Sequence, residues 1–196
     1  MARTLLQLAG ADPKPAALSD SLLVLIDVQN EYFDGPLALA GVDEAAAVAS
    51  QLLARARAAG IPVIHVRHRG RPGGAFDLDA ARGQIHESVA PMEGEPVIDK
   101  SLPNAFAGTT LAETLAAHPD RTLILGGFMT HMCVSSTARS ALDHGRACVV
   151  AWDATATRDL PDPMGGTLSA AEVQRAALAA LADRFAVTCR ADDIPE

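Results

Sequence analysis

The chain has 196 residues, 49% of them hydrophobic, with a formal net charge of −8 and 16 Lys and Arg together. That length and apolar content suit one domain with a sizeable core and argue against a disordered or fibrous chain. The acidic balance argues against a nucleic-acid partner, and no apolar span approaches the roughly 20 residues a membrane helix needs.

In chain order, residues 1–20 hold Pro13 and Pro15 and little periodicity, so they read as a surface arm without a signal-peptide pattern. Ser21 to Val28 reads as the first strand. Its continuous run Leu22-Leu-Val-Leu-Ile26 is the pattern of a strand covered on both faces, and Asp27 interrupts it. After a loop with Tyr32 and Phe33, Asp43 to Ala59 is Ala- and Leu-rich at helical spacing, with Asp43 as expected N-cap and Gly60 as the C-terminal stop. Ile61 to Val66 reads as the second strand. Residues 67–95 form a long excursion rich in Gly, Pro and charge, and long loops in compact domains are usually functional.

Pro96 to Asp99 reads as a third strand ending at Lys100. Thr110-Leu-Ala-Glu113 has the capping-box pattern and predicts a helix to about His118. Thr122 to Leu125 is a short buried strand, closed by Gly126-Gly127. From Val134 the apolar positions turn helical, so Cys133 falls where a strand hands over to a helix. Arg146 to Trp152 predicts a fifth strand and Asp153 to Gly166 a loop. Ser169-Ala-Ala-Glu172 predicts a second capping box opening a helix to about Arg184, and Phe185 to Cys189 a last strand. Strands alternating with helices, and lacking a polar side, predict an α/β fold. The expected form is a three-layer αβα sandwich around a mostly parallel, Rossmann-like sheet of about six strands, in one domain spanning 1–196.

In such sheets the site lies beyond the carboxyl ends of the strands, where Asp27, Lys100 and Cys133 all fall. A carboxylate in a buried strand needs a partner. Lys100 is one of only two lysines, the other being Lys14. A thiol at a helix start is expected to have a lowered pKa. The three cysteines, Cys133, Cys148 and Cys189, are odd in number and widely spaced, which suits no disulfide framework and points to a reducing cytoplasm. Cys148 and Cys189 read as small buried hydrophobes.

Three blocks carry a resemblance: Leu22-Leu-Val-Leu-Ile-Asp27-Val-Gln-Asn with Tyr32-Phe33, Lys100-Ser-Leu-Pro-Asn-Ala-Phe106, and Gly126-Gly-Phe-Met-Thr-His-Met-Cys133-Val-Ser-Ser-Thr-Ala with Asp153-Ala. In this order they resemble the isochorismatase-like cysteine hydrolases, the superfamily of nicotinamidases and N-carbamoylsarcosine amidohydrolases. The resemblance implies a Cys-Asp-Lys triad, with Cys133 as nucleophile, Asp27 as general base and Lys100 holding the charges of both. It also implies a cis peptide between Phe128 and Met129, and an oxyanion hole from the Met129 and Cys133 backbone N–H groups. The implied reaction is hydrolysis of an amide, imide or carbamoyl C–N bond of a small molecule through an acyl-thioester. The alternatives are hydrolysis of a non-amide metabolite and a catalytically silent binding protein. The implied assembly is a homodimer or homotetramer.

His65 and His68 lack the Asp-Trp-His-Pro surroundings of the nicotinamidase metal site, so neither a metal nor a cofactor is expected. Phe33, Phe106 and Trp152 are candidates to wall an apolar pocket. His131 is a candidate substrate contact or proton relay. Arg67, Arg69 and Arg71 either steer an anion or form a solvated loop, and Asn104 and Thr130 are expected to position backbone.

Overall fold

The computed structural model describes residues 2–11 and 13–196. Met1 and Asp12 of the expected arm lie outside the described residues. The arm is not all loop, because Leu5–Leu8 forms a one-turn helix, α1, whose Leu5 N–H donates to Asp183 Oδ1 at 2.8 Å.

Six parallel strands form the central sheet: β1 (Ser21–Ile26), β2 (Val63–His68), β3 (Val97–Lys100), β4 (Thr122–Phe128), β5 (Cys148–Ala156) and, after a hairpin, β8 (Val187–Cys189). The hairpin strands are β6 (Leu160–Pro161) and β7 (Thr167–Leu168). The sheet order is β3-β2-β1-β4-β5-β8. The chain thus builds outward from β1 in one direction, then returns to β1's other edge with β4. Between β1 and β4 lies the point where the order reverses, and the crevice at their carboxyl ends is where such sheets bind ligands.

Every residue of β1 is buried because both faces are covered. After the short α2 (Glu31–Asp34) comes α3 (Val42–Ala58), and Leu23 and Leu25 pack with it through Ala46, Ala49, Leu52 and Leu53. Leu22, Val24 and Ile26 pack on the other face with α4 (Leu111–Ala116) and α5 (Ser135–Asp143), and Leu181 of α6 (Ala170–Arg184) joins the same cluster. Each such aliphatic side chain contributes about 1.5–3 kcal/mol on burial.

Several predicted boundaries shift. Gly41, in the left-handed region at φ 67°, is the N-cap of α3, and Asp43 lies in its first turn. Thr110 precedes α4 but its side chain makes no cap hydrogen bond; Thr110 φ/ψ is −89°/9°, not the extended backbone that aims a hydroxyl at the first N–H groups. The Ser169–Glu172 box does form around the start of α6. β4 runs to Phe128, through both glycines. Gly127 has φ +111°, and a Cβ there would lie 2.0 Å from Ile26 O, so only glycine lets β4 approach β1 this closely. Between β4 and α5 a π-helical turn, Thr130–Val134, is inserted before the predicted helix. Among the described residues no helix is long and apolar enough to cross a membrane.

Candidate active site

Asp27 follows the last residue of β1 with φ 52°, a region a non-glycine residue enters at a cost of order 1 kcal/mol. Two backbone bonds hold it there: Asp27 N–H to Val66 O at 2.8 Å, and Gln29 N–H to Asp27 O at 2.8 Å. The side chain is wholly excluded from water.

Lys100 ends β3, two strands away. At about 4.8 Å per strand its stem must cross β2 to reach Asp27. It does so, and its Nζ stands 2.6 Å from Asp27 Oδ2 in a fully buried ion pair. The same Nζ lies 3.2 Å from Cys133 Sγ and 3.2 Å from His68 Nδ1. His68 ends β2 in direct register with Lys100. Its peptide is clamped by the buried Gln29: Gln29 Oε1 accepts from His68 N–H at 2.7 Å, and Gln29 Nε2 donates to His68 O at 2.9 Å.

Cys133 lies in the π turn and is nearly buried. Asp27, His68 and Cys133 each offer a ligand atom within 4.8 Å of the others, a set that could hold a metal; the cation they surround here is the Lys100 ammonium. Burial pushes the Cys133 thiol up to about 12; the Asp27 charge adds to this and Lys100 opposes it. The expectation of a lowered thiol pKa is therefore corrected. A helix start favours a thiolate only where water or donors replace its lost hydration, and this sulfur is desolvated beside a carboxylate. Burial likewise raises Asp27 above the ordinary carboxylate range, against the Lys100 charge and hydrogen bonds from Lys100 and Cys133. The resting site holds a thiol, with a base and a cation touching it.

Residues 21–193 match the Isochorismatase domain family. The chain belongs to the isochorismatase family. It is 37% identical over 94% of its length, and 95% of the relative's, to the secreted isochorismatase effector Isc1 of Verticillium dahliae. It is 34% identical to a maleamate amidohydrolase of Pseudomonas putida, over 74% of this chain and 73% of that one. The crystal structure of an isochorismatase from Pseudomonas putida KT2440 superposes with a TM-score of 0.95 at 44% identity, covering 99% of this chain and 100% of that one. Named members of the isochorismatase family are hydrolases, several of them amidohydrolases.

In this isochorismatase-family site the peptide between Phe128 and Met129 is cis, and Met129 and Cys133 lie on either side of Thr130-His131-Met132. Thr130 Oγ1 donates to Ala156 O at 3.1 Å, tying the turn to β5. Asn104 Oδ1 accepts from Phe106 N–H at 2.9 Å, a local backbone role. His131 Nδ1 lies 2.5 Å from Thr157 Oγ1, and burial, then the Arg158 charge, lowers its pKa, which favours the neutral ring. Phe33 stacks on His86 at 3.7 Å and meets Phe128 edge-on at 6.2 Å, and it lines a cavity with His86, Asn30 and Asp43.

Two pocket candidates are corrected. Phe106 stacks on His144, at the far end of α5, with centroids 4.4 Å apart, and is core. Trp152 lies where the β4–β5 register shifts; Arg190 sits over it at 5.4 Å, and it walls a groove with Ala45, Gln174 and Thr157 rather than standing beside the triad. Nor can His65 and His68 converge. Three positions apart on a strand, they face opposite sides, and His65 Nε2 pairs with Glu95 Oε2 at 2.9 Å. Arg67 and Arg69 are both paired to Asp99, at 2.5 Å each; Arg67 is half-buried there, whereas Arg69 keeps most of its side chain in solvent.

Sequence reasoning weighed His68 only as a metal ligand and Tyr32 only as part of the first motif, and gave neither a place beside the triad. Tyr32 packs edge-on to Phe128 at 5.7 Å, and burial, then the Asp27, Cys133 and Glu31 charges, raise its pKa, so it stays a phenol. His68 was legible in principle, as the last residue of β2 on the face shared by Ile64 and Val66.

Proposed function

We propose that the chain is an amidohydrolase for small molecules, with Cys133 as nucleophile. The observation that carries this reading is the convergence of Asp27 Oδ2 at 2.6 Å and Cys133 Sγ at 3.2 Å on one ammonium, Lys100 Nζ. A raised thiol pKa suits a general-base route rather than a preformed thiolate. Asp27 takes the thiol proton as sulfur bonds to the carbonyl carbon, and Lys100 balances the charge that passes between them. The backbone N–H groups of Met129 and Cys133 receive the oxyanion. Asp27 returns the proton to the departing nitrogen, the C–N bond breaks, and ammonia or an amine leaves. Water then attacks the thioester, again giving its proton to Asp27, and the released sulfur recovers it as the acid departs.

The amidohydrolase relatives support the bond type, and three free cysteines suit a reducing compartment such as the cytoplasm. The test is an ammonia-release screen over small amides, ureides, imides and carbamoyl compounds, with Cys133→Ala as control. Turnover that survives Cys133→Ala, or none against a broad panel, overturns the reading. A second reading, hydrolysis of an isochorismate-like enol ether, draws on the 37% identity to the Verticillium dahliae protein. An enol-ether substrate in the same screen decides between them.

A further inference from the structure

An ammonium has three N–H bonds and no lone pair. Lys100 is buried, so each bond lacking an acceptor leaves a charge-bearing donor unsatisfied, at about 1–3 kcal/mol or more. Asp27 Oδ2 faces one across the ion pair at 2.6 Å, and Cys133 Sγ faces a second at 3.2 Å. His68 Nδ1, at 3.2 Å, faces the third. Because the ammonium cannot accept, Nδ1 must carry the lone pair and the ring proton must sit on Nε2.

The rest of the fold holds the ring to this task. Lys100 and His68 are register partners on adjacent strands, so the lysine stem crossing β2 runs beside the imidazole. Gln29 fixes both ends of the His68 peptide, and Phe76 meets the ring edge-on at 5.3 Å. The charged groups around it are Lys100 from β3, Asp27 from the end of β1, and Cys133 from the turn after β4 once ionised. Burial, then the Lys100 charge, lowers the ring to about 4, which keeps it neutral and able to accept.

We propose that His68 is a positioning residue for catalysis: its Nδ1 lone pair holds the Lys100 ammonium between Asp27 and Cys133. Without it the third N–H has no acceptor among these side chains, and the ammonium is free to swing from sulfur towards the carboxylate alone. The thiol would then lose the nearby cation that balances its charge as it reacts. This inference rests on the triad reading above for its effect on rate, but not for its geometry.

Two measurements test it. Long-range 1H–15N correlation of the imidazole in the full-length protein at pH 6–8 reads the tautomer directly. An Nε2–H ring with unprotonated Nδ1, changed in Lys100→Met, is expected; an Nδ1–H ring overturns the proposal. Steady-state kinetics of His68→Leu and His68→Gln with the best substrate of the screen read the consequence. Leu, which cannot accept, is expected to lower kcat by about 10–100-fold with KM within about threefold, and Gln, whose Oε1 can accept, to recover most of the loss. Wild-type kcat in His68→Leu overturns it. If wild-type protein hydrolyses nothing, the amidohydrolase reading fails, and the tautomer alone decides the role of His68.

Discussion

Asp27 and Lys100 form an ion pair with neither side chain touching water, its Nζ–Oδ2 distance 2.6 Å, across the one intervening strand β2. Removing one partner leaves an uncompensated buried charge at about 3–5 kcal/mol, whereas replacing both by apolar groups is close to neutral. Asp27→Leu and Lys100→Met are each expected to lower the unfolding temperature by roughly 6–20 °C for a chain of this size. The double variant should lose clearly less than the sum. Thermal unfolding of the four proteins checks this, and strictly additive losses contradict it.

The Cys133 thiol, pushed up to about 12 by burial and the Asp27 charge, should alkylate slowly. With iodoacetamide at pH 7 its rate is expected at least about tenfold below that of an ordinary cysteine, whose pKa is about 8.5. The rate should climb with pH up to pH 10 without levelling. Peptide mapping separates Cys133 from Cys148 and Cys189, and a plateau near pH 7 contradicts the expectation.

On the other face of the sheet Glu95 holds two bonds from Arg57 at 2.8 Å each and one contact with the buried His65. The Arg57 hydrogen bond is the main cause that brings Glu95 down to about 2, against desolvation. A depressed carboxylate contributes stability above its ordinary pKa of about 4.5, and the contribution drains away as pH falls towards about 2. Glu95→Gln is expected to cost about 2 kcal/mol at pH 7, a figure kept low because Arg57 is partly exposed and screened. Denaturant unfolding should find a constant gap between wild type and variant above pH 5.5, narrowing below 4.5. A gap that widens towards low pH contradicts this.

Gly127→Ala puts a Cβ 2.0 Å from Ile26 O in a conformation, φ +111°, that alanine resists. Overpacking against backbone cannot be relieved by a rotamer change, so a loss of several kcal/mol is expected. The variant should be largely insoluble or melt more than about 8 °C lower. Gly126→Ala, whose Cβ meets nothing nearer than 3.4 Å, is the matched control.

Much of this was legible before the fold. The aliphatic run Leu22–Ile26 announced a strand covered on both faces, and the carboxylate ending it announced a site. Ser169 with Glu172 announced a helix start correctly. Thr110 with Glu113 showed the same spacing, but backbone conformation decides a cap, and spacing does not encode it. His68 stayed hidden because its role depends on β2 lying between β3 and β1, an order set by pairing and not by chain position. The Cys133 pKa was misread for a related reason: its place in the chain shows the helix start but not the dry surroundings. Phe106 and Trp152 were misplaced because an aromatic residue near a motif looks alike whether it faces a ligand or the core.

The return of β4 to the free edge of β1 has a consequence for biosynthesis. A nascent chain that has emerged as far as residue 110 already contains the acid and the ammonium, yet β1 still lacks its second neighbour. Until Thr122–Phe128 arrives, one side of the most apolar strand stands open to other chains, a template for clumping on the ribosome. The late-made segment that brings the sulfur is the same one that closes this gap.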